Sequence, residues 1–457
     1  MQSHTFSRAR GVPVYMNGSV SHHSLHAQQP STSHHVPRSM SVAPNRLRNG
    51  PAESDPSLPP TYVVRFHDEA AVRRMSYRRL GQTEMIVSKI CFGSAPIGGM
   101  FGNVDDSITQ IVETALRNGI NFIDTAYWYG QSRSESILGK VLSKVPRKAY
   151  YINDSMFSVG RFELDYARTF DFRADKVLES LTNSLKRLKL TFHVQIHDAD
   201  FTPQENIILY ETLEALEMAR HSGKIRYIGL TVIVAAIDFK IQTKNFSSII
   251  DCSAVKIDVL LTYCHGSLND NSIGEFIPLF KRQGVGILNG SPLSMGLLTE
   301  RGPPPWHPAA DFIKEACLAA THYCMSKNIS ISKLALSYAL EVPGCSACVV
   351  GMDSIQQVRD NIALCTTTPL TDVEQRVRDR IMRRYFDRLE NAGWSGMDVA
   401  AYWQRLKKLG LTALATHRSY VLISFISLKK AKPYSRCCSQ WLKTTPRFRG
   451  PQFDRGN

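Results

Sequence analysis

At 457 residues and 43% hydrophobic, the chain can bury a large core, and its composition is that of an ordinary globular protein. Its formal charge of +15 lies mostly at the ends, with net +4 in residues 1–75, +8 in 411–457 and +3 between. Basic tails without a basic, aromatic-bearing module argue against specific nucleic-acid binding, and no run approaches the roughly 20 apolar residues of a membrane span.

Residues 1–60 are rich in Ser, His and Pro, with no Asp or Glu before Glu53. That composition predicts a disordered arm more readily than a targeting helix. Short apolar, β-branched runs then follow at 88–93, 121–126, 149–153, 193–198, 227–232, 256–263, 285–293 and 347–352. Amphipathic helical spacing falls between them at 105–118, 134–143, 174–189, 204–221, weakly at 234–241, at 271–282, and at 310–327 with 331–341. A last helix spans 354–364. Strands that are continuously apolar and each followed by a helix imply a parallel sheet buried on both faces. Eight such units predict an α/β fold, a (β/α)8 TIM barrel over 61–410, with a disordered tail at 1–60 and a basic extension at 411–457. A doubly wound open sheet is disfavoured, because the first strand is followed by Gly93-Ser-Ala-Pro-Ile-Gly98-Gly99, not a dinucleotide fingerprint.

Ten cysteines scattered through strands and helices read as buried thiols of a reducing, cytoplasmic setting. The lone CxxC of Cys345 and Cys348 is weak as a metal signal, and no metal site is predicted.

A barrel carries its chemistry at the C-terminal strand ends. The second run ends in Asp124-Thr-Ala-Tyr-Trp-Tyr129-Gly130 and the fourth in His197-Asp198. A tyrosine with its pKa of roughly 10 lowered can exchange a proton with a carbonyl or hydroxyl oxygen. A neutral histidine can orient that oxygen, and a buried carboxylate can support a cation that tunes the tyrosine. Singly, each residue has a structural explanation as a cap, a packing ring or a satisfied core histidine. Together at one rim, Asp124, Tyr129 and His197 point to catalysis.

The segment Phe122–Gly130, with Ser134-Glu135 and Leu138-Gly139, resembles the aldo-keto reductase signature. So do Gly223-Lys-Ile-Arg-Tyr-Ile-Gly229, Ser291-Pro-Leu293, and Gly351 followed by Gln357 and Asn361. Tyr77-Arg-Arg-Leu-Gly81, Gln195-Ile-His197-Asp198, Leu261-Thr-Tyr263-Cys264-His265 and Gly302-Pro-Pro-Pro-Trp306-His307-Pro308 are similar to the L-galactose dehydrogenase group. The resemblance implies reversible hydride transfer between NAD or NADP and a sugar or small carbonyl substrate, such as oxidation of an aldose C1 hydroxyl to a lactone. It implies Tyr129 as acid/base, His197 as the orienting group and Asp124 as the tuning carboxylate. It also implies cofactor contacts from Thr231, Tyr263, Ser291, Leu293, Gly351, Gln357 and Asn361.

Three departures stand out. No lysine ends the third strand, which reads Tyr150-Tyr-Ile-Asn153-Asp154-Ser155; Lys148 lies before it, toward the other barrel end. A cation roughly 4 Å from a phenolate is worth about 4 kcal/mol at an effective dielectric near 20, so its loss predicts an unpaired Asp124 and slow turnover. The approach to His197 is short, and the segment after Thr231 lacks the group's usual turn. Asp353, after Gly351-Met352, would repel a 2′-phosphate and favour NAD, unless it only caps the following helix. The alternative to an enzyme is a catalytically inactive nicotinamide-binding barrel, acting as a sensor or regulatory subunit.

Overall fold

The computed structural model describes residues 55–99, 107–127, 129–156, 171–190, 192–196, 207–232, 250, 253–394, 404, 405, 407 and 408. Contacts divide the chain into two units, Met1–Glu53 and Ser54–Asn457, and the fold lies in the second. Residues 1–54 of the expected disordered arm, the basic extension, the weak helix at 234–241 and His197 lie outside the described residues. Residues 55–60 of that arm are described, and Asp55 Oδ2 lies 2.6 Å from Arg73 Nη2.

Eight parallel strands close a barrel in the order β10-β3-β4-β5-β6-β7-β8-β9. They are β3 (Ile90–Gly93), β4 (Phe122–Ala126), β5 (Tyr151–Met156), β6 (Phe192–Ile196), β7 (Ile225–Val232), β8 (Val259–Tyr263), β9 (Gly286–Gly290) and β10 (Ala347–Gly351). Each of the eight predicted runs overlaps one barrel strand, with β5 running on to Met156 past the expected end at 153. A hairpin, β1 (Tyr77–Arg79) with β2 (Ile86–Ser88), precedes them. The described helices are α1 (Glu69–Arg74), α2 (Ile108–Arg117), α3 (Arg133–Leu142), α4 (Ala174–Leu188), α5 (Leu213–His221), α6 (Ile277–Arg282), α7 (Asp311–Met325), α8 (Ile331–Glu341), α9 (Ile355–Thr366) and α10 (Asp372–Ile381). The hairpin, α1 and α10 have no counterpart in the apolar pattern, since each is short or polar.

Alternation along the strands sorts the core into two layers. Cys91, Phe122, Val259, Leu261, Leu288 and Val349 point inward and pack together inside the barrel. Ile90, Phe92, Ile123, Ile152, Leu260, Ile287 and Val350 point outward into the helix layer. In α2 the buried positions Ile108, Ile111, Val112, Ala115 and Leu116 follow the helical period and form one stripe against that layer. The hairpin plugs the N-terminal end of the barrel: Leu80, Met85 and Val87 join the inner cluster. Gly81 permits this. It sits at φ +57°, and a Cβ there would come within 2.3 Å of the Gly286 nitrogen. With the N-terminal end plugged by these side chains, the C-terminal rim is, among the described residues, the end of the barrel left to receive a ligand.

Candidate active site

Asp124 occupies an inward position near the end of β4, and its carboxylate is almost fully buried. In the β4–β5 register it lies directly beside Asn153. The Asn153 side-chain amide donates to Asp124 Oδ1 at 2.7 Å, and the Tyr129 hydroxyl donates to Oδ2 at 3.1 Å. The carboxylate is thus held between an amide and a phenol. Asp124 thus has hydrogen-bond donors although no lysine ends β5, and Asn153 brings none of the positive charge a lysine would supply. Sequence reasoning passed over Asn153, although a polar residue within an apolar run was the available signal.

Tyr129 reaches Asp124 because the chain turns sharply after β4. Tyr129 N–H donates to the Ala126 carbonyl at 3.2 Å, and Ser134 N–H donates to the Tyr129 carbonyl at 3.0 Å. Gly130, at φ +71°, packs on Gly98 so closely that a Cβ would lie 2.1 Å from the Gly98 oxygen. Beneath the turn, Ser134 Oγ meets Thr125 Oγ1 at 3.0 Å and donates to Ser94 Oγ at 2.8 Å. Glu135 is buried and takes a forked pair of bonds from Arg187 at 2.8 and 3.2 Å, joining α3 to α4. Ser134 and Glu135 therefore hold the turn that carries Tyr129.

Across the rim, Thr231 lies in β7, Tyr263 ends β8, Ser291 follows β9 and Gly351 ends β10. Leu293 precedes a tight turn at Ser294–Gly296, and Ser291, Ser294 and Met295 have φ of 55°, 47° and 54°. A right-handed Leu293 followed by the left-handed Ser294 and Met295 bends backbone N–H groups around a concavity. Among the described residues the Leu293 N–H meets no acceptor. The first turn of α9 begins beside it in the sheet order, with Ser354 Oγ accepting from Gln357 N–H at 3.2 Å. Ser354, not Asp353, is thus the helix cap. Gln357 Oε1 accepts from Asp353 N–H at 2.9 Å, and Asn361 lies one turn further along α9.

The β8 and β9 loops are tied by a buried polar network. His265 Nδ1 lies 2.9 Å from Asp270 Oδ2, and Ser272 Oγ donates to Asp270 Oδ1 at 2.6 Å. Ser294 Oγ donates to Asn269 Oδ1 at 2.6 Å, and His307 Nε2 lies 3.1 Å from the Ser294 carbonyl. Burial pushes the His307 pKa down to about 3, which keeps the ring neutral. The Cys264-His265 and Trp306-His307 motifs are thus scaffolding for the turn at Ser294. Cys345 and Cys348 are free buried thiols, and burial raises both pKa values. Among the described residues, no group of three or more His, Cys, Asp or Glu is arranged to hold a metal ion.

A sequence model of the Aldo/keto reductase family matches residues 89–381. The chain belongs to the aldo/keto reductase family. L-galactose dehydrogenase of Arabidopsis thaliana is 37% identical over 327 residues, covering 70% of this chain and 97% of that protein. D-arabinose 1-dehydrogenase of Saccharomyces cerevisiae is 28% identical over 325 residues, covering 68% and 93%. Among solved structures, an aldo-keto reductase from Bacillus halodurans in its holo form superposes with a TM-score of 0.52 at 25% identity, covering 67% of this chain and 96% of that one. As a member of the family the chain is an oxidoreductase in type, and the family uses a nicotinamide cofactor. No helix among the described residues is long and apolar enough to cross a membrane.

Proposed function

We propose that this aldo/keto reductase family member transfers hydride between a nicotinamide cofactor and C1 of an aldose, oxidising the C1 hydroxyl to a lactone, or reduces a small carbonyl in the reverse sense. The observation that carries the reading is the Tyr129 phenol hydrogen-bonded to the buried Asp124 carboxylate at the open end of the barrel. Residues 61–410 form the functional unit in this reading, with 1–60 and 411–457 as extensions. The free buried thiols support a reducing, cytoplasmic setting.

The rim residues fit a dinucleotide. The left-handed residues Ser291, Ser294 and Met295 and the Leu293 N–H suit a pyrophosphate, and the start of α9 adds the N–H groups and positive dipole end of a helix. Thr231 and Tyr263 would hold the nicotinamide amide, and Gly351, Gln357 and Asn361 would border the adenosine. When bound, the nicotinamide supplies a two-electron hydride acceptor or donor.

In oxidation the Tyr129 oxygen takes the C1 hydroxyl proton as hydride leaves C1; in reduction the Tyr129 phenol gives its proton to the carbonyl oxygen. His197 would orient that oxygen. Asn153 supplies a hydrogen bond to Asp124 but no positive charge, and a carboxylate beside a phenol opposes its ionisation. Oxidation is therefore slow at neutral pH and gains as pH rises. The lack of a lysine at the end of the third strand favours the second reading, a nicotinamide-binding sensor without turnover. Asp353 favours NAD over NADP, although Arg301 Nη1 lies 3.9 Å from Asp353 Oδ2 and offsets part of the repulsion.

The test is titration of NADH and NADPH by nucleotide fluorescence, followed by turnover on L-galactose, D-arabinose and small aldehydes. Binding with turnover supports the enzyme, binding without turnover supports the sensor, and no binding defeats both.

A further inference from the structure

Away from the barrel rim, α7 and the run formed by α10 and the turn Met382–Phe386 enclose an open cavity of about 690 Å³. Five cations line it: Lys327 from just past the end of α7, and Arg376, Arg380, Arg383 and Arg384 from the α10 run, against the single carboxylate of Asp379. Arg376, Arg380 and Arg384 recur every four residues, which stacks them on one face. None of the five makes an ion pair among the described residues. The other side of the same helix behaves differently. There Arg378 meets Glu341 at 2.8 Å and Glu374 meets Lys333 at 2.7 Å, binding α10 to α8. One face is neutralised within the fold, and the face on the cavity is left positive.

Helix-end electrostatics do not account for this. The helical run continues through Met382–Phe386 and Asp387–Leu389, so Arg376 and Arg380 sit in its middle rather than at its carbonyl end. Gathering like charges around one groove repels, and a bound anion relieves that repulsion.

We propose that this groove binds an acidic segment of a partner protein, one in which apolar residues are interspersed among the carboxylates. Arginine forks pair bidentately with carboxylates, and Val377 and the half-exposed Val373 provide apolar ground between them. Single-stranded nucleic acid fits less well, because it needs open aromatic faces for its bases. Here Arg380 and Lys327 lie over the Tyr323 ring at 5.6 and 6.0 Å, and Arg384 lies over Tyr385 at 5.4 Å.

The experiment measures fluorescence anisotropy of the full-length protein with a short fluorescein-labelled peptide of Glu and interspersed Leu. The same peptide with Gln for Glu and a labelled single-stranded oligonucleotide are run beside it. Two triple variants are compared, Arg380→Glu/Arg383→Glu/Arg384→Glu in the groove and Lys144→Glu/Lys186→Glu/Lys224→Glu elsewhere. Their net charge is identical, so the basic tails act equally on both. The groove variant should bind the Glu peptide at least roughly tenfold more weakly than the control variant, with unchanged circular dichroism. Equal loss in both variants, or no binding by the unaltered protein, overturns the proposal. Oligonucleotide binding that is tighter than peptide binding and lost only in the groove variant overturns the choice of a protein segment. If the groove variant misfolds, Arg383→Gln/Arg384→Gln with the matching control Lys144→Gln/Lys186→Gln gives the same comparison at smaller charge change.

Discussion

The two sides of the barrel rim handle buried polarity in different ways. On the β4–β5 side a single carboxylate, Asp124, is met by an amide from the next strand and a phenol from the turn above. On the β8–β9 side the Asp270 carboxylate is one member of a wider network of hydroxyls, an amide and imidazoles that hydrogen-bond one another, with Asn269 Nδ2 left buried without a partner among the described residues. That network fixes the loop at Ser294. The difference separates two kinds of preorganisation. The first places side-chain atoms that can exchange a proton. The second spends its side chains on holding main-chain donors in place.

Tyr129→Phe breaks the first side most sharply. Turnover should fall by about 10²–10⁴ while fluorescence titration still detects cofactor, because only the proton-exchanging atom is lost. Equal turnover would remove Tyr129 from the chemistry. Arg187→Leu tests the support beneath it. Leaving the buried Glu135 carboxylate without its guanidinium should cost about 3–5 kcal/mol in urea unfolding.

On the other side, His307 offers a pH test. Its pKa is lowered on folding from an ordinary value near 6.5 to about 3, so the unfolded chain binds the proton first. Stability should then be full above pH ~6.5 and fall as pH drops toward ~3, by about 3 kcal/mol at pH ~4.5 for this group. Unfolding midpoints of His307→Gln should fall less steeply over that window.

Asn153→Lys would place a cation beside Asp124. If the phenol is limited by the neighbouring negative charge, oxidation at neutral pH should rise by roughly tenfold and its alkaline dependence should flatten. A pH–rate profile checks this, and unchanged kinetics would detach Asn153 from the reaction. The smallest effect is expected at the cofactor's far end. Asp353→Ala should tighten NADPH relative to NADH by a few fold, measured as a ratio of dissociation constants. No change would mean that Arg301 already neutralises the site.

The strand runs were legible because parallel strands covered on both faces must be apolar throughout. The signature around Tyr129 was legible because its glycine, serine and glutamate fall at fixed spacing along one turn. Asn153 was not, because its importance comes from register with β4, and register is set by how neighbouring strands pair rather than by either strand alone. The hairpin plug escaped for a similar reason. Its three-residue strands carry little periodic signal, and they are held by the barrel end they fill.

The order of residues thus determined the eight-fold alternation, the family signature and the uneven charge, since these depend on composition and local spacing. The closed structure decided which groups meet. It brought the Asn153 amide to Asp124, and left one face of α10 unneutralised while pairing the other with α8. Each of these depends on distances of a few ångströms between segments far apart in the chain, and such distances exist only after the barrel has closed.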